Sequence, residues 1–171
     1  SLDLDMPEVK IFVDKEGYPK SIEKIENDES HQLVEEFMLA ANEAVARALH
    51  DANMPYISRV HDKPEAEKLA ELSEVLALHQ IAVGDLTSRS QVNKLLEILK
   101  THPQGPMLKV QFLRSLKQAC YRAQADGHYG LNKVYYAHFT SPIRRYADLV
   151  THRVLDAYLT KQGHSSAYKA P

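Results

Sequence analysis

Apolar positions in this chain repeat with two different periods, and the switches between them outline its elements. "VKIFV" (9–13) and "SIEKIE" (21–26) are short β-like runs on either side of Lys15-Glu16-Gly17-Tyr18-Pro19, a turn composition, so the spacing predicts a hairpin. From 27 to 53 the spacing becomes helical. Leu33, Phe37, Ala40, Ala41, Ala44, Val45 and Ala48 recur at three and four residues, and Asn27 or Asp28 can cap the start. This phase buries Leu33 and Phe37 and leaves Glu35 between them, facing solvent or a cleft.

"PYISRV" (55–60) reads as a short strand. Residues 64–80 open with Pro and acidic residues, as helix starts do. Thr87 or Ser88 can cap a helix running to Lys100, which "HPQGP" ends. The pattern over 107–123 predicts a fourth helix with Lys109, Arg114, Lys117 and Arg122 on one side, and "DGHYGLNK" (126–133) is a glycine-bearing loop. A last helix spans roughly 142–161, followed by the loose composition of 162–171. The expected fold class is a helix-rich α+β chain with one small hairpin and about five helices. A two-stranded hairpin is marginal alone, so the pattern reads as a piece of a larger domain.

One stretch contradicts itself. In "YYAHFTSPIRRYADLVTHRVL" (135–155), Ser141-Pro142 looks like a helix start, with a Ser cap and Pro at the first helical position. Arg144 and Arg145 then fall in the first turn, where the helix dipole disfavours cations. Thr140, Ser141, the open N–H groups of a helix start and the two guanidiniums are all good phosphate ligands. A bound anion would remove the repulsion, and Asp148, four residues after Arg144, can hold that guanidinium in place. The plainer reading is a pair of surface arginines, one of them paired with Asp148.

Charge sharpens this picture. Residues 1–80 hold 8 basic against 18 acidic side chains, whereas 81–171 hold 13 against 5, although the whole chain is near neutral at −2. The basic half either faces an anion or simply balances the acidic half. The single cysteine, Cys120, leaves no internal disulfide and fits a reducing, cytoplasmic setting; it is read as a core residue. No apolar run approaches the ~20 residues of a membrane span, and no secretory leader stands at the start. Nine histidines invite a metal, yet no HxxxH or HxH occurs. Asp3 and Asp5 share a strand face and either bind a cation or sit in solvent. "DGHYG" lacks the GxxxxGK[ST] pattern of a phosphate loop, and there is no GxSxG nucleophile.

The stretch 135–155 resembles the motif that closes the catalytic RNB domain of the ribonuclease II/ribonuclease R exoribonucleases. "SLDLDMPEVK", "NDESHQLVEEFMLAANEAVA", "PYISRVHDKPEAEKL" and "DGHYGLNKVYYAHFTSPIRRYADL" are similar to that family in order and spacing, most of all to its ribonuclease R branch. The resemblance implies that residues 1–171 are the C-terminal portion of an RNB domain. It implies a parent enzyme that degrades single-stranded RNA processively from the 3′ end to nucleoside 5′-monophosphates, at a buried site with Mg²⁺.

Residue by residue, Arg144 takes the place of the arginine that holds the reacting phosphate and stabilises the charge developing on it. Arg145 becomes a second phosphate contact. Glu35 matches a glutamate that contacts the sugar near the 3′ end, where a carboxylate can accept from a 2′-OH. Glu36, Asn42, His128 and Tyr129 lie in shared motifs, His128 and Tyr129 as candidate RNA contacts. The family's metal-binding aspartates, an Asp followed six residues on by Asp-x-Asp-Asp, belong upstream, and no such arrangement occurs in 1–171. The chain alone is therefore expected to be inactive and to contribute no metal ligand. The alternative is a catalytically silent RNB-derived module that binds RNA or a protein.

Overall fold

A computed structural model describes residues 9–24 and 29–161. Asp3, Asp5, the candidate caps Asn27 and Asp28, and the tail 162–171 lie outside these residues. The described chain contains five helices and two small antiparallel sheets, which is the helix-rich α+β class expected. It divides into two compact units, one formed by Leu4–Ala40 and the other from Ala41 onward.

The N-terminal unit holds the hairpin. Strand β1 (Val9–Val13) pairs antiparallel with β2 (Pro19–Lys24), and the register slips between Phe12 and Val13. The carboxylate of Asp14 accepts hydrogen bonds from the Glu16 and Tyr18 amides at 3.0 and 2.8 Å, closing the turn. Gly17 sits at φ 88° in the left-handed region, where a side chain would be strained. Helix α1 (Glu29–Asp51) begins in this unit and ends in the other. Its phase differs from the expected one. Leu33 is 58% and Phe37 68% exposed, and the buried stripe is instead Asn42, Ala46 and Leu49. The many alanines of α1 define its apolar face weakly, and an asparagine on the true stripe hides it further.

In the second unit, α1 stops in a left-handed cap. Asn53 has φ 53°, and the Met54 N–H reaches back to the Leu49 carbonyl at 2.9 Å. Strand β3 (Ser58–Val60) follows. Three helices then pack together: α2 (Ala66–Leu78), α3 (Arg89–Thr101) and α4 (Gly105–Ser115). Their inward positions, Leu69, Leu72, Leu76, Val92, Leu95, Leu96, Leu99, Leu108 and Phe112, are at most 5% exposed and form the core. Rather than only ending α3, "HPQGP" also opens α4. Gly105 is its first residue, and a Cβ there would lie 1.8 Å from the Leu99 carbonyl oxygen.

Helix α4 is shorter than the pattern predicts. The Ser115 hydroxyl donates to the Phe112 carbonyl at 2.7 Å, and Leu116 turns to extended backbone. Residues 120–122 are strand β4 (Cys120–Arg122), antiparallel to β3. Long-range pairing overrides the helical period here, because Arg122 forks onto the Asp62 carboxylate at 2.9 and 2.6 Å. Cys120 is thus a half-buried strand residue with a free thiol. Helix α5 (Tyr146–Lys161) starts four residues after the expected Pro142, and Ser141–Arg145 form a separate turn. None of these helices is long and apolar enough to cross a membrane.

Candidate functional site

The arginine-bearing turn is built from polar bonds that converge on its backbone. On its N-terminal side, Asn42 of α1 is 3% exposed. Its Oδ1 accepts from the Phe139 amide at 2.9 Å and the Thr140 amide at 3.2 Å, and its Nδ2 donates to the Tyr136 hydroxyl at 3.0 Å. The Phe139 carbonyl is bound at 2.8 Å by Nε2 of His152 from α5, whose ring stacks on Phe139 at 4.2 Å. Two more contacts tie α1 to the segment leading into the turn. Glu43 pairs with Lys133, and His50 stacks on Tyr135 at 3.9 Å.

On its C-terminal side the turn is closed by Asp148, which is fully buried. Oδ2 accepts from the Ser141 amide at 2.8 Å and from Nη2 of Arg145 at 2.9 Å, and Oδ1 accepts from Nε of Arg145 at 2.8 Å. The Ser141 carbonyl accepts the amides of Arg144 and Arg145. This geometry corrects two expectations. Asp148 holds Arg145, not Arg144, in a two-pronged fork. The Ser141 amide is not open for an anion, because Asp148 already takes it. The late start of α5 is the reason: with Tyr146 as the first helical residue, Arg145 stands at its cap and Asp148 three residues later, within reach of both. The repulsion between helix dipole and cation is relieved for Arg145 by a carboxylate of the chain itself.

Arg144 is left exposed, and among the described residues no hydrogen bond or ion pair engages its guanidinium. Ile143 and Tyr146 flank it and are also exposed. The turn therefore presents one uncommitted cation on a backbone pinned from both ends. Ser141 opens the same turn and Thr140 immediately precedes it, both half-buried.

A second cluster gathers around His61 and His128. His61 lies just after β3, and its carbonyl accepts the Tyr129 amide while its Nδ1 accepts the Gly130 amide at 3.1 Å. His128 Nδ1 accepts the Leu131 amide at 3.2 Å. Both rings thus carry their proton on Nε2 and are neutral. Burial, aided by His61 nearby, lowers the His128 pKa to about 4. His138 is likewise lowered to about 4, by burial and then by the Arg145 charge, and its Nδ1 meets the Tyr121 hydroxyl at 2.7 Å. Tyr129 packs edge-on against His61 with its hydroxyl buried, and Arg89 holds the carbonyls of Tyr129 and Gly130 at 2.6 and 3.0 Å.

The expected site residues thus fall into three places. Ser141, Arg144 and Arg145 share the turn, with Thr140 immediately before it. His128 and Tyr129 sit in the ring cluster, joined to the turn through Tyr136, whose ring meets that of His128 at 5.4 Å. Glu35 is an exposed residue of the N-terminal unit. Sequence spacing gave no role to Tyr136, and none of its own to Asn42. One sign was present for the last: an asparagine in step with Ala46 and Leu49 on a helix.

The family model described as "RNB domain" matches residues 1–161. Ribonuclease R of Thermotoga maritima is 39% identical over 95% of this chain, and ribonuclease R of Escherichia coli is 38% identical over 95%. The solved structure of Mycoplasma genitalium RNase R in complex with ribose methylated single-stranded RNA superposes with a TM-score of 0.87 at 32% identity, over 98% of this chain. The chain spans only 23% and 20% of the two relatives' lengths and 27% of the solved chain. With its family model matched over nearly its whole length and its fold shared with RNase R, the chain belongs to the RNB domain family.

Proposed function

We propose that this chain is the C-terminal portion of the catalytic RNB domain of a 3′-to-5′ exoribonuclease, which hydrolyses single-stranded RNA processively to nucleoside 5′-monophosphates. The observation that carries the reading is the exposed Arg144 guanidinium on a turn whose other arginine is already neutralised by Asp148. A planar cation held in place without a partner suits a phosphate whose charge grows in the transition state. In this reading Arg144 stabilises that phosphate, and Glu35 accepts from a ribose 2′-OH. Thr140, Ser141, His128 and Tyr129 shape the RNA path. Arg145 keeps Nε and Nη2 on Asp148 and holds the turn in place. The RNA complex of the Mycoplasma genitalium relative supports RNA as the ligand.

The resemblance also implies Mg²⁺. Among the described residues no group of three or more His, Cys, Asp or Glu side chains lies close enough to hold a metal ion. By the family resemblance, the metal's ligands would be aspartates upstream of these residues in the parent.

The test uses 3′-labelled single-stranded RNA with Mg²⁺, incubated with the parent protein and, separately, with the 171-residue chain. The parent is expected to release mononucleotides and the chain to release none. A parent that binds RNA without releasing mononucleotides would replace this reading with a silent RNA-binding module. Release that copurifies with the isolated chain would overturn the assignment of the metal ligands upstream.

A further inference from the structure

Asn42 is a polar residue on the buried stripe of a helix, in line with Ala46 and Leu49 one and two turns on. Burying a carboxamide is unfavourable unless its donors and acceptor are satisfied. Here both ends of the carboxamide are engaged, and by groups far away in sequence. Oδ1 gathers the consecutive amides of Phe139 and Thr140, and Nδ2 reaches the Tyr136 hydroxyl. The orientation is unambiguous, because the flipped amide would aim its NH₂ at two N–H donors. These two backbone amides immediately precede the Ser141–Arg145 turn. No apolar side chain could hold them, since a buried N–H needs an acceptor.

We propose that Asn42 is a positioning residue for the arginine turn: by fixing the backbone at Phe139 and Thr140 against α1, it sets where the Arg144 guanidinium stands. The Asp148 fork secures the turn from the other side, so Asn42 and Asp148 act as its two ends. Displacing a catalytic group by an ångström can cost about 10²-fold in rate, and a carboxamide that bonds two successive amides controls movement on that scale. The proposal deepens the exoribonuclease reading and rests on it for its kinetic readout, but its structural readout stands alone.

The experiment compares Asn42→Leu, Asn42→Asp and Leu108→Ala in the full-length parent protein. Turnover on single-stranded RNA, KM, thermal midpoint and amide hydrogen exchange are measured for each. Leucine keeps the volume but offers no acceptor. Aspartate keeps the acceptor, and the Tyr136 hydroxyl can turn to donate to it. Leu108 lies in the helical core and serves as a control for loss of stability. Asn42→Leu is expected to lower kcat about 10²-fold with KM changed little, and to speed exchange at Phe139 and Thr140 while α3 and α4 stay protected. Asn42→Asp is expected to recover most of the kcat. Leu108→Ala is expected to lower the thermal midpoint but to keep kcat at temperatures where it is folded.

A folded Asn42→Leu protein with wild-type kcat and wild-type exchange at 139–140 would overturn the proposal. So would a kcat loss that follows the thermal midpoint equally in Asn42→Leu and Leu108→Ala. If Asn42→Leu does not fold, Asn42→Ser replaces it: its shorter side chain cannot span both amides, and the same outcomes apply. If the wild-type parent has no turnover, the exoribonuclease reading fails, and exchange at 139–140 alone decides on Asn42.

Discussion

The α2–α4 block and the arginine turn lie in the same unit but are held by opposite means. In the block, leucines at helical spacing meet leucines, and Phe112 is fully buried among them. Many similar contacts share the load, so the position of any one atom matters little. In the turn, the order comes from a few polar groups, Asn42, Asp148 and His152, each bonded to a specific backbone atom. Such bonds contribute modestly to net stability but strongly to geometry. The difference teaches that stability and placement are assigned to separate parts of this fold, and substitutions should separate them.

The largest stability effect is expected in the block. Phe112→Ala removes a ring that is wholly buried, and should destabilise by about 3–5 kcal/mol, measured by chemical denaturation. In the comparison's terms, what remains folded should still present a normal turn, with unchanged exchange at Phe139 and Thr140. A selective opening of the turn would show that the two regions are not separate.

Next comes Asp148→Ala. It strands the Arg145 guanidinium and the Ser141 amide together, and removing one partner of a buried pair costs about 3 kcal/mol or somewhat more. Arg145 keeps some exposure to water, which places the expectation at the lower end. Asp148→Asn should recover part of the loss, since its carbonyl still accepts the Ser141 amide. Equal losses for the two variants would mean that the fork, not the amide, carries the effect.

Gly105→Ala should cost about 1–3 kcal/mol, again by denaturation. The new Cβ meets the Leu99 carbonyl, a backbone atom that moves only with α3 itself. The effect belongs to the block, so turnover of the folded protein should persist.

Acid should act on the ring cluster. His128 and His138 have folded-state pKa values of about 4, below the ordinary 6.5. Between these values the unfolded chain binds more protons than the folded one. Their contribution to stability is thus complete above pH 6.5 and is lost as the pH falls toward 4. A denaturation series across that range checks this. His128→Gln should flatten the slope, and a slope unchanged in both His128→Gln and His138→Gln would assign it to other groups.

How much of this was legible follows the same division. The block and the hairpin were readable because apolar spacing and turn chemistry are local signals, and β1, β2, α2 and α3 fall close to where the pattern puts them. Residues 116–123 were misread as helix because their pairing with β3 and the Arg122–Asp62 fork lie about sixty residues apart in sequence. The phase of α1 was misread because its alanines fit several faces and Asn42 finds its partners nearly a hundred residues later. At the turn, the sequence showed that two arginines at a helix start need a counter-charge. Spacing alone favoured Arg144 for Asp148, and only the delayed start of α5 hands that carboxylate to Arg145. The family was legible from motif order, whereas the clamps that place the turn were not.

In the proposed function the two adjacent arginines divide placement and chemistry between them. The most direct test measures thermal midpoint and turnover on single-stranded RNA for Arg144→Ala and Arg145→Ala in the parent protein. Arg144→Ala is expected to keep the midpoint and lose about 10²–10³-fold in kcat, because its guanidinium supports no other group of the described chain. Arg145→Ala is expected to lower the midpoint, because it leaves the buried Asp148 carboxylate without its fork. If instead Arg144→Ala lowers the midpoint while Arg145→Ala folds normally and loses turnover, the roles are exchanged and the account is contradicted.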